Sequence, residues 1–256
     1  MKAYFDLPAP RVFAHRGLAL EAPENTLLAF AQAIAIGVHY IETDVNASAD
    51  GHAIVSHDPD LRRLLARPER IGALTRAELG DIDLGEGQAF PTLAEALHAF
   101  PETRFNIDVK DPLAVAPTIR AIVDAKARDR VLVTSFDERR RAAVVAGLPG
   151  VATSASARRV ALAVAAAKAG SVAGVRRALR GVDCVQIPTR AGRFSTTTPR
   201  FIDTLHAAGV EVHHWTINDP DEMTRLLDRG VDGLVTDRAD LAVPQARRYS
   251  IPSNPL

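Results

Sequence analysis

The chain has 256 residues, a length that suits one α/β barrel of about 250 residues or two ordinary domains. At 47% hydrophobic and 24% charged, it has enough apolar surface to offset the entropy of ordering, which excludes general disorder. Lys plus Arg and Asp plus Glu both number 31, so no global field draws in nucleic acid or an anionic membrane, and any anion site must be local.

In chain order, the first eight residues carry Asp6 and Pro8 where a cleaved secretory signal needs an unbroken apolar stretch. Cys184, the one cysteine, permits neither an intramolecular disulfide nor a thiolate metal cluster, and a cytoplasmic protein is expected. Short β-branched runs then alternate with longer Ala- and Leu-rich segments. Strands are predicted near 11–15, 40–45, 104–109, 131–134, 151–153, 183–187, 211–216 and 232–236. Helices are predicted over 24–36, 112–126, 137–146, 156–169, 199–208, 220–228 and 238–247. The alternation points to an α/β protein with a (β/α)8 TIM barrel rather than a doubly wound sheet, because a closed sheet uses every strand without leaving an edge. One barrel domain over 1–256 is expected.

The exception is 46–91, which has a turn at Asp50-Gly51, a short strand at 52–56 and little sustained periodicity. It reads as an insertion between the second and third strands, and so long a connection in a compact barrel usually has a function. Thr92 and Glu95 after it have capping-box spacing. The Ala-rich run at 160–167 is too short to span a bilayer and reads as a helix packed on the barrel wall. Arg139-Arg140-Arg141 and Arg176-Arg177 read as solvated faces of outer helices, and 249–256 as a frayed tail.

Polar residues inside apolar strands carry the chemical information, because a buried charge is costly without a partner or a metal. Glu42 and Asp44 stand one residue apart in the second strand, so alternation points both carboxylates to one face, and Asn106, Asp108 and Lys110 repeat the pattern in the third. Crowded acids repel unless a cation joins them, and an all-oxygen set suits Ca²⁺ or Mg²⁺. The competing reading is a network of ion pairs with Arg16 and Lys110. His15-Arg16-Gly17 ends the first strand, and His57 follows the short strand of the insertion. Two histidines across a divalent metal, with Arg and Lys nearby, supply a base, an acid and charge stabilisation for phosphodiester cleavage.

The run Ala14-His15-Arg16-Gly17, then Ala22-Pro23-Glu24-Asn25-Thr26, Ile41-Glu42-Thr43-Asp44-Val45 and Val55-Ser56-His57-Asp58 resembles the glycerophosphodiester phosphodiesterase family. Phe90-Pro91-Thr92-Leu93 and Asn106-Ile107-Asp108-Val109-Lys110 extend the likeness, which thins after about residue 110 to Ser135-Phe136, Trp215-Thr216 with Asn218, and 232–237. The resemblance implies a (β/α)8 barrel, His15 and His57 as the acid/base pair, Arg16 and Lys110 on the phosphate, and Glu42, Asp44 and Asp108 on one divalent metal, Ca²⁺ or Mg²⁺. It departs from the family at Asp108, where Glu is common. Phe136 and Trp215 would line the substrate groove or pack in the core. Glu24 and Asn25 would start a helix or touch the site.

The implied reaction is hydrolysis of a small glycerophosphodiester, such as glycerophosphocholine or glycerophosphoethanolamine, to glycerol 3-phosphate and an alcohol through a cyclic phosphate. Two rivals are a lysophospholipase D of the sphingomyelinase D type and a non-catalytic phosphoester-binding barrel. One cysteine and the missing signal argue against the first, and the presence of both histidines argues against the second.

Overall fold

The computed structural model describes residues 2–250. Eight parallel strands form the sheet: β1 (Arg11–His15), β2 (Tyr40–Ala47), β4 (Arg104–Val109), β5 (Val131–Thr134), β6 (Ala152–Thr153), β7 (Cys184–Ile187), β10 (Glu211–His214) and β11 (Gly233–Thr236). Their order, β6-β5-β4-β2-β1-β11-β10-β7, is the chain order of a barrel opened between β6 and β7. A parallel bridge between Ser154 and Cys184 spans that gap, so the sheet is a nearly closed TIM barrel.

Alternation along the strands sorts side chains into two shells. Val12 and Ala14 of β1, Ile41 and Val45 of β2, and Phe105, Ile107 and Val109 of β4 face outward into the helix layer. That layer holds α1 (Leu27–Ala35), α4 (Leu93–Ala99), α5 (Val115–Asp124), α6 (Glu138–Gly147), α9 (Pro199–Ala207), α10 (Pro220–Leu227) and α11 (Ala239–Ser250). Phe13, Tyr40, Leu132 and Val235 point inward, and Tyr4 and Phe5 of the N-terminal 3-10 turn complete this inner cluster. Arg11 is buried beneath it, donating to Glu211 Oε2 at 2.7 Å and to the Phe5 and Leu7 carbonyls. Gly233 is required here, since a Cβ would stand 2.7 Å from the Phe13 ring.

The insertion begins as β2 runs on to Ala47 and pairs antiparallel with β3 (Ala53–Val55). It continues through α2 (Arg62–Leu65) and α3 (Arg76–Gly80) around its own core of Ile54, Leu61, Ile71, Leu79, Ile82 and Phe90. The Thr92–Glu95 capping box is formed and starts α4.

The predicted helix at 24–36 starts only at Leu27, with Thr26 as its cap, because Glu24 and Asn25 are engaged elsewhere. Helix α8 (Val172–Ala178) and the hairpin of β8 (Arg190–Ala191) and β9 (Phe194–Ser195) were not expected. Arg140 and Arg141 are not a solvated face: Arg141 is buried on Glu138, and Arg140 donates to Ser135 Oγ at 3.0 Å and to the Lys110 carbonyl. Of the expected tail, Tyr249 and Ser250 end α11, with the Tyr249 hydroxyl on Asp228, and 251–256 lie outside the described residues. No helix among the described residues is long and apolar enough to cross a membrane.

Candidate active site

The carboxyl ends of β1, β2 and β4 place the site where barrels of this kind carry function. After His15 the chain turns sharply, with Arg16 at φ 60° and Gly17 at φ 86°. A Cβ on Gly17 would stand 2.7 Å from the Ala29 backbone, so glycine lets the turn close onto α1. Asn25 also adopts a left-handed conformation, at φ 57°. It donates to Asp44 Oδ2 at 3.2 Å and accepts from Thr43 Oγ1 at 2.7 Å, so strained backbone here serves the carboxylate cluster.

Each candidate histidine has its own carboxylate. His15 Nδ1 lies 2.6 Å from Asp237 Oδ1, which holds the proton on Nδ1 and leaves Nε2 in the cleft, 3.9 Å from Glu42 Oε2. Asn218 in turn donates to Asp237 Oδ2 at 2.8 Å. Burial opposes protonation of His15, but the bond to Asp237 and the charge of Glu42 outweigh it and raise the pKa. His57 Nδ1 lies 2.7 Å from Asp58 Oδ1. Asn46 of β2 pins this loop by donating to the Ser56 carbonyl at 2.8 Å.

Behind His57 runs a chain of alternating charge. Arg63 donates to Asp58 Oδ2 at 2.5 Å and grips Glu24 with both terminal nitrogens, at 2.6 and 3.0 Å. Glu24 accepts from Arg16 at 2.9 Å, and Arg16 Nε stands 3.4 Å from Asp44. The insertion is thereby fastened to the β1 turn.

Between the histidines lie the buried acids. Burial and then Asp44 push Glu42 up to about 8. Burial also works against Asp44, yet Lys110 and Arg16 hold its carboxyl below the ordinary range. Asp108 is raised by burial, with Asp44 adding to it. Lys110 Nζ bridges Asp108 at 2.6 Å and Asp44 at 2.9 Å, and these two acids outweigh burial to raise its own pKa. The ion-pair network anticipated as the competing reading is therefore formed.

The donor set also fits a hard cation. Glu42 Oε2, Asp108 Oδ1 and Asn106 Oδ1 are buried without a hydrogen-bond partner, which is costly for acceptors that a cation would satisfy. Among the described residues no group of three His, Cys, Asp or Glu is gathered around a metal position. Lys110 and Arg16 supply the positive charge in this arrangement.

The nine residues given a catalytic, phosphate, metal or groove role from the sequence all line one cleft of about 680 Å³, His15, Arg16, Glu42, Asp44, His57, Asp108, Lys110, Phe136 and Trp215, whereas Glu24 and Asn25 stand behind it. Phe136 and Trp215 form an edge-to-face pair with centroids 5.9 Å apart, and Phe136 is 58% exposed, which makes it a cleft residue rather than a core residue. Beyond this pair the wall is mostly apolar, with Ser154 after β6, Gln186 of β7 and Lys168 as its polar members. It is built from one face of α7 (Ala157–Lys168) with Ile187, Pro188 and Ala191. The Ala-rich helix expected on the barrel wall thus has two faces, one packed through Ala163, Val164 and Ala167, the other open to the cleft.

Comparison with known proteins then settles the family. The model of the glycerophosphoryl diester phosphodiesterase family matches residues 15–241. The chain belongs to that family. It is 43% identical over 233 residues to "Probable glycerophosphodiester phosphodiesterase 2" of Mycobacterium tuberculosis, covering 89% of this chain and 87% of that protein. The glycerophosphodiester phosphodiesterase structure from Thermotoga maritima is 27% identical, covers 91% of this chain and 96% of its own, and superposes with a TM-score of 0.70. A phosphodiesterase of Oleispira antarctica, solved in complex with the product sn-glycerol-3-phosphate, shares the fold at a TM-score of 0.79 and 24% identity, covering 96% of this chain and 99% of that one. The protein is accordingly an enzyme of the glycerophosphoryl diester phosphodiesterase family.

Four side chains around the site were given no role from sequence: Asp237, Asn218, Asn46 and Arg63. Asp237 and Asn218 sit in stretches where the family likeness is thin, although an acid directly after a barrel strand is a signal in itself. Arg63 lies in the aperiodic insertion, where nothing in its local pattern shows that it reaches back to Glu24.

Proposed function

We propose that the protein hydrolyses glycerophosphodiesters to glycerol 3-phosphate and an alcohol, with His15 and His57 as the acid/base pair. The observation that carries this reading is the pair of imidazoles, each held through Nδ1 by a carboxylate, at one cleft that also contains Arg16 and Lys110. Such orientation leaves Nε2 of each ring for proton transfer.

One histidine takes the proton from the glycerol hydroxyl adjacent to the phosphorylated carbon. That oxygen bonds to phosphorus as the bond to the alcohol oxygen breaks, and the other histidine protonates the departing alcohol. The tethered nucleophile gives this step a high effective concentration. Water then attacks the cyclic phosphate, losing its proton to the histidine that acted as acid. The ring P–O bond opens, and the glycerol oxygen recovers a proton from the other histidine. Arg16 and Lys110 face the charge that builds on the phosphoryl oxygens.

Glu42, Asp44 and Asp108 would hold one Ca²⁺ or Mg²⁺, with Lys110 turning from the acids toward the phosphate. A bound cation would supply Lewis acidity and a place for the glycerol hydroxyls. Phosphorus NMR of a glycerophosphodiester during turnover tests the sequence of steps. A cyclic glycerophosphate signal that rises before glycerol 3-phosphate is the expected course, and glycerol 3-phosphate formed without it, even under single-turnover conditions, would point to direct attack by water.

A further inference from the structure

The two ends of the cleft differ in charge, and the difference bears on which alcohol the substrate carries. Every acid that lines the cleft, Glu42, Asp44 and Asp108, lies at the β2–β4 end. Past Phe136 and Trp215 the lining residues include Val160, Ala161, Val164 and Ala165 of α7 and Ile187, and the one charged group there is the cation Lys168. The α7 stripe from Ala157 to Lys168 runs about 16 Å at the helical rise per residue, enough to flank an alkyl group over its length.

A quaternary ammonium group such as choline is ordinarily held by an aromatic cage or a carboxylate. Past Phe136 and Trp215 no acid lines the cleft, and those two rings are the phenyl and indole groups that line it. Phe136 already has Lys110 Nζ at 5.7 Å from its ring centroid, Trp215 meets Phe136 edge to face, and Lys168 sits on Phe194 at 4.6 Å. A cationic alcohol in that half would therefore meet Lys168, no lining acid, and a pair of rings of which Phe136 already faces a lysine. An uncharged alkyl group would cover apolar side chains that are open to water, Ala161 and Ala165 among them.

We propose, resting on the hydrolase reading above, that the leaving-group half of the cleft selects glycerophosphodiesters of uncharged, apolar alcohols over those of choline or ethanolamine. The reaction is unchanged: the bond from phosphorus to the alkyl oxygen breaks, the alcohol leaves with a proton from a histidine, and water is consumed in opening the cyclic phosphate.

The test compares glycerophosphocholine with its dimethylbutyl counterpart, in which carbon replaces the choline nitrogen, so that the two substrates differ in charge and hardly in shape. The neutral ester is expected to have a kcat/KM at least about tenfold higher, and longer alkyl esters to gain up to about fourfold per methylene buried. Equal values, or preference for choline, would overturn the proposal. Lys168→Glu is expected to move the ratio of the two kcat/KM values several-fold toward choline, and Ala161→Trp to flatten the alkyl-length profile. Ala165→Leu provides a second, smaller block should the tryptophan disturb folding. An alkyl profile that neither block alters would place the alkyl group elsewhere and overturn the assignment of the wall. Absence of glycerol 3-phosphate from both esters would instead remove the hydrolase reading itself, and the proposal with it.

Discussion

The mouth of the barrel is polar over β1, β2 and β4 and apolar over α7 and β7, and the two sides reach their character by opposite routes. On the polar side charges are buried and tied to one another: Lys110 spans Asp44 and Asp108, Arg16 joins Asp44 to Glu24, and each histidine leans on an acid. On the apolar side small side chains of one helix face are left open to the cleft. Fixed charges pre-oriented around a phosphate can lower a barrier, whereas an apolar wall discriminates between substrates by burial. The reaction class and the choice of alcohol therefore reside in separate parts of one cleft, and changes on each side should separate the two.

The largest effects are expected on the polar side. His15→Ala and His57→Ala should each lower kcat at least about 100-fold, the scale of general acid–base catalysis, in an assay of glycerol 3-phosphate release. A variant with normal turnover would take that imidazole out of the chemistry. Arg63→Met should cut kcat about 10- to 100-fold with little change in KM, because it frees Asp58 and Glu24 together and lets His57 drift. Arg63→Lys should recover only part of this, since an ammonium cannot span both carboxylates as a guanidinium fork does. If Arg63→Met instead raised KM and left kcat alone, the residue would belong to substrate binding.

Asp108→Ala should raise the metal concentration needed for half-maximal activity at least about tenfold, the scale of losing an oriented group around a metal. Titration with Ca²⁺ and with Mg²⁺ measures this, and an unchanged midpoint would exclude Asp108 as a ligand.

The smallest effect is on stability and lies beneath the apolar side. Glu138 accepts from Arg141, Ser156 and Arg159, tying α6 to the start of α7, and chiefly the Arg141 bonds hold its pKa at about 2 instead of 4.5. A depressed carboxylate contributes fully above its unfolded pKa and loses that contribution as pH falls through its folded pKa. Glu138→Gln should therefore cost about 1–3 kcal/mol at neutral pH, with the gap to the parent protein closing between about pH 4.5 and 2. A gap independent of pH in denaturant titrations would mean that shape, not charge, is what Glu138 provides.

The polar side was legible in the sequence because its residues follow strand alternation. Glu42 and Asp44, like Asn106 and Asp108, share a face by spacing alone, and His15 ends a strand. All eight barrel strands could be found for the same reason, from β-branched runs separated by helices. Residues that act across large separations in sequence were not legible. Asp237 meets His15 from just after the last strand, where its position was a signal but its partner was not, and Arg63 reaches Glu24 from the insertion with no local pattern. Glu24 and Asn25 looked equally like a helix start, and it took the left-handed turn at Asn25 to aim them at the site. The apolar side was harder still. An Ala- and Val-rich helix has the same composition whether its second face meets a barrel wall or a cleft, and only the placement of α7 after the two-residue strand β6 decides between them.

The most direct measurement is release of glycerol 3-phosphate from glycerophosphocholine and from its dimethylbutyl counterpart at neutral pH, with Ca²⁺, with Mg²⁺ and with excess chelator. Release that depends on added metal and stops with chelator is the expected result. Release that persists undiminished in chelator would contradict the role given to Glu42, Asp44 and Asp108, and no release under any condition would contradict the hydrolase assignment.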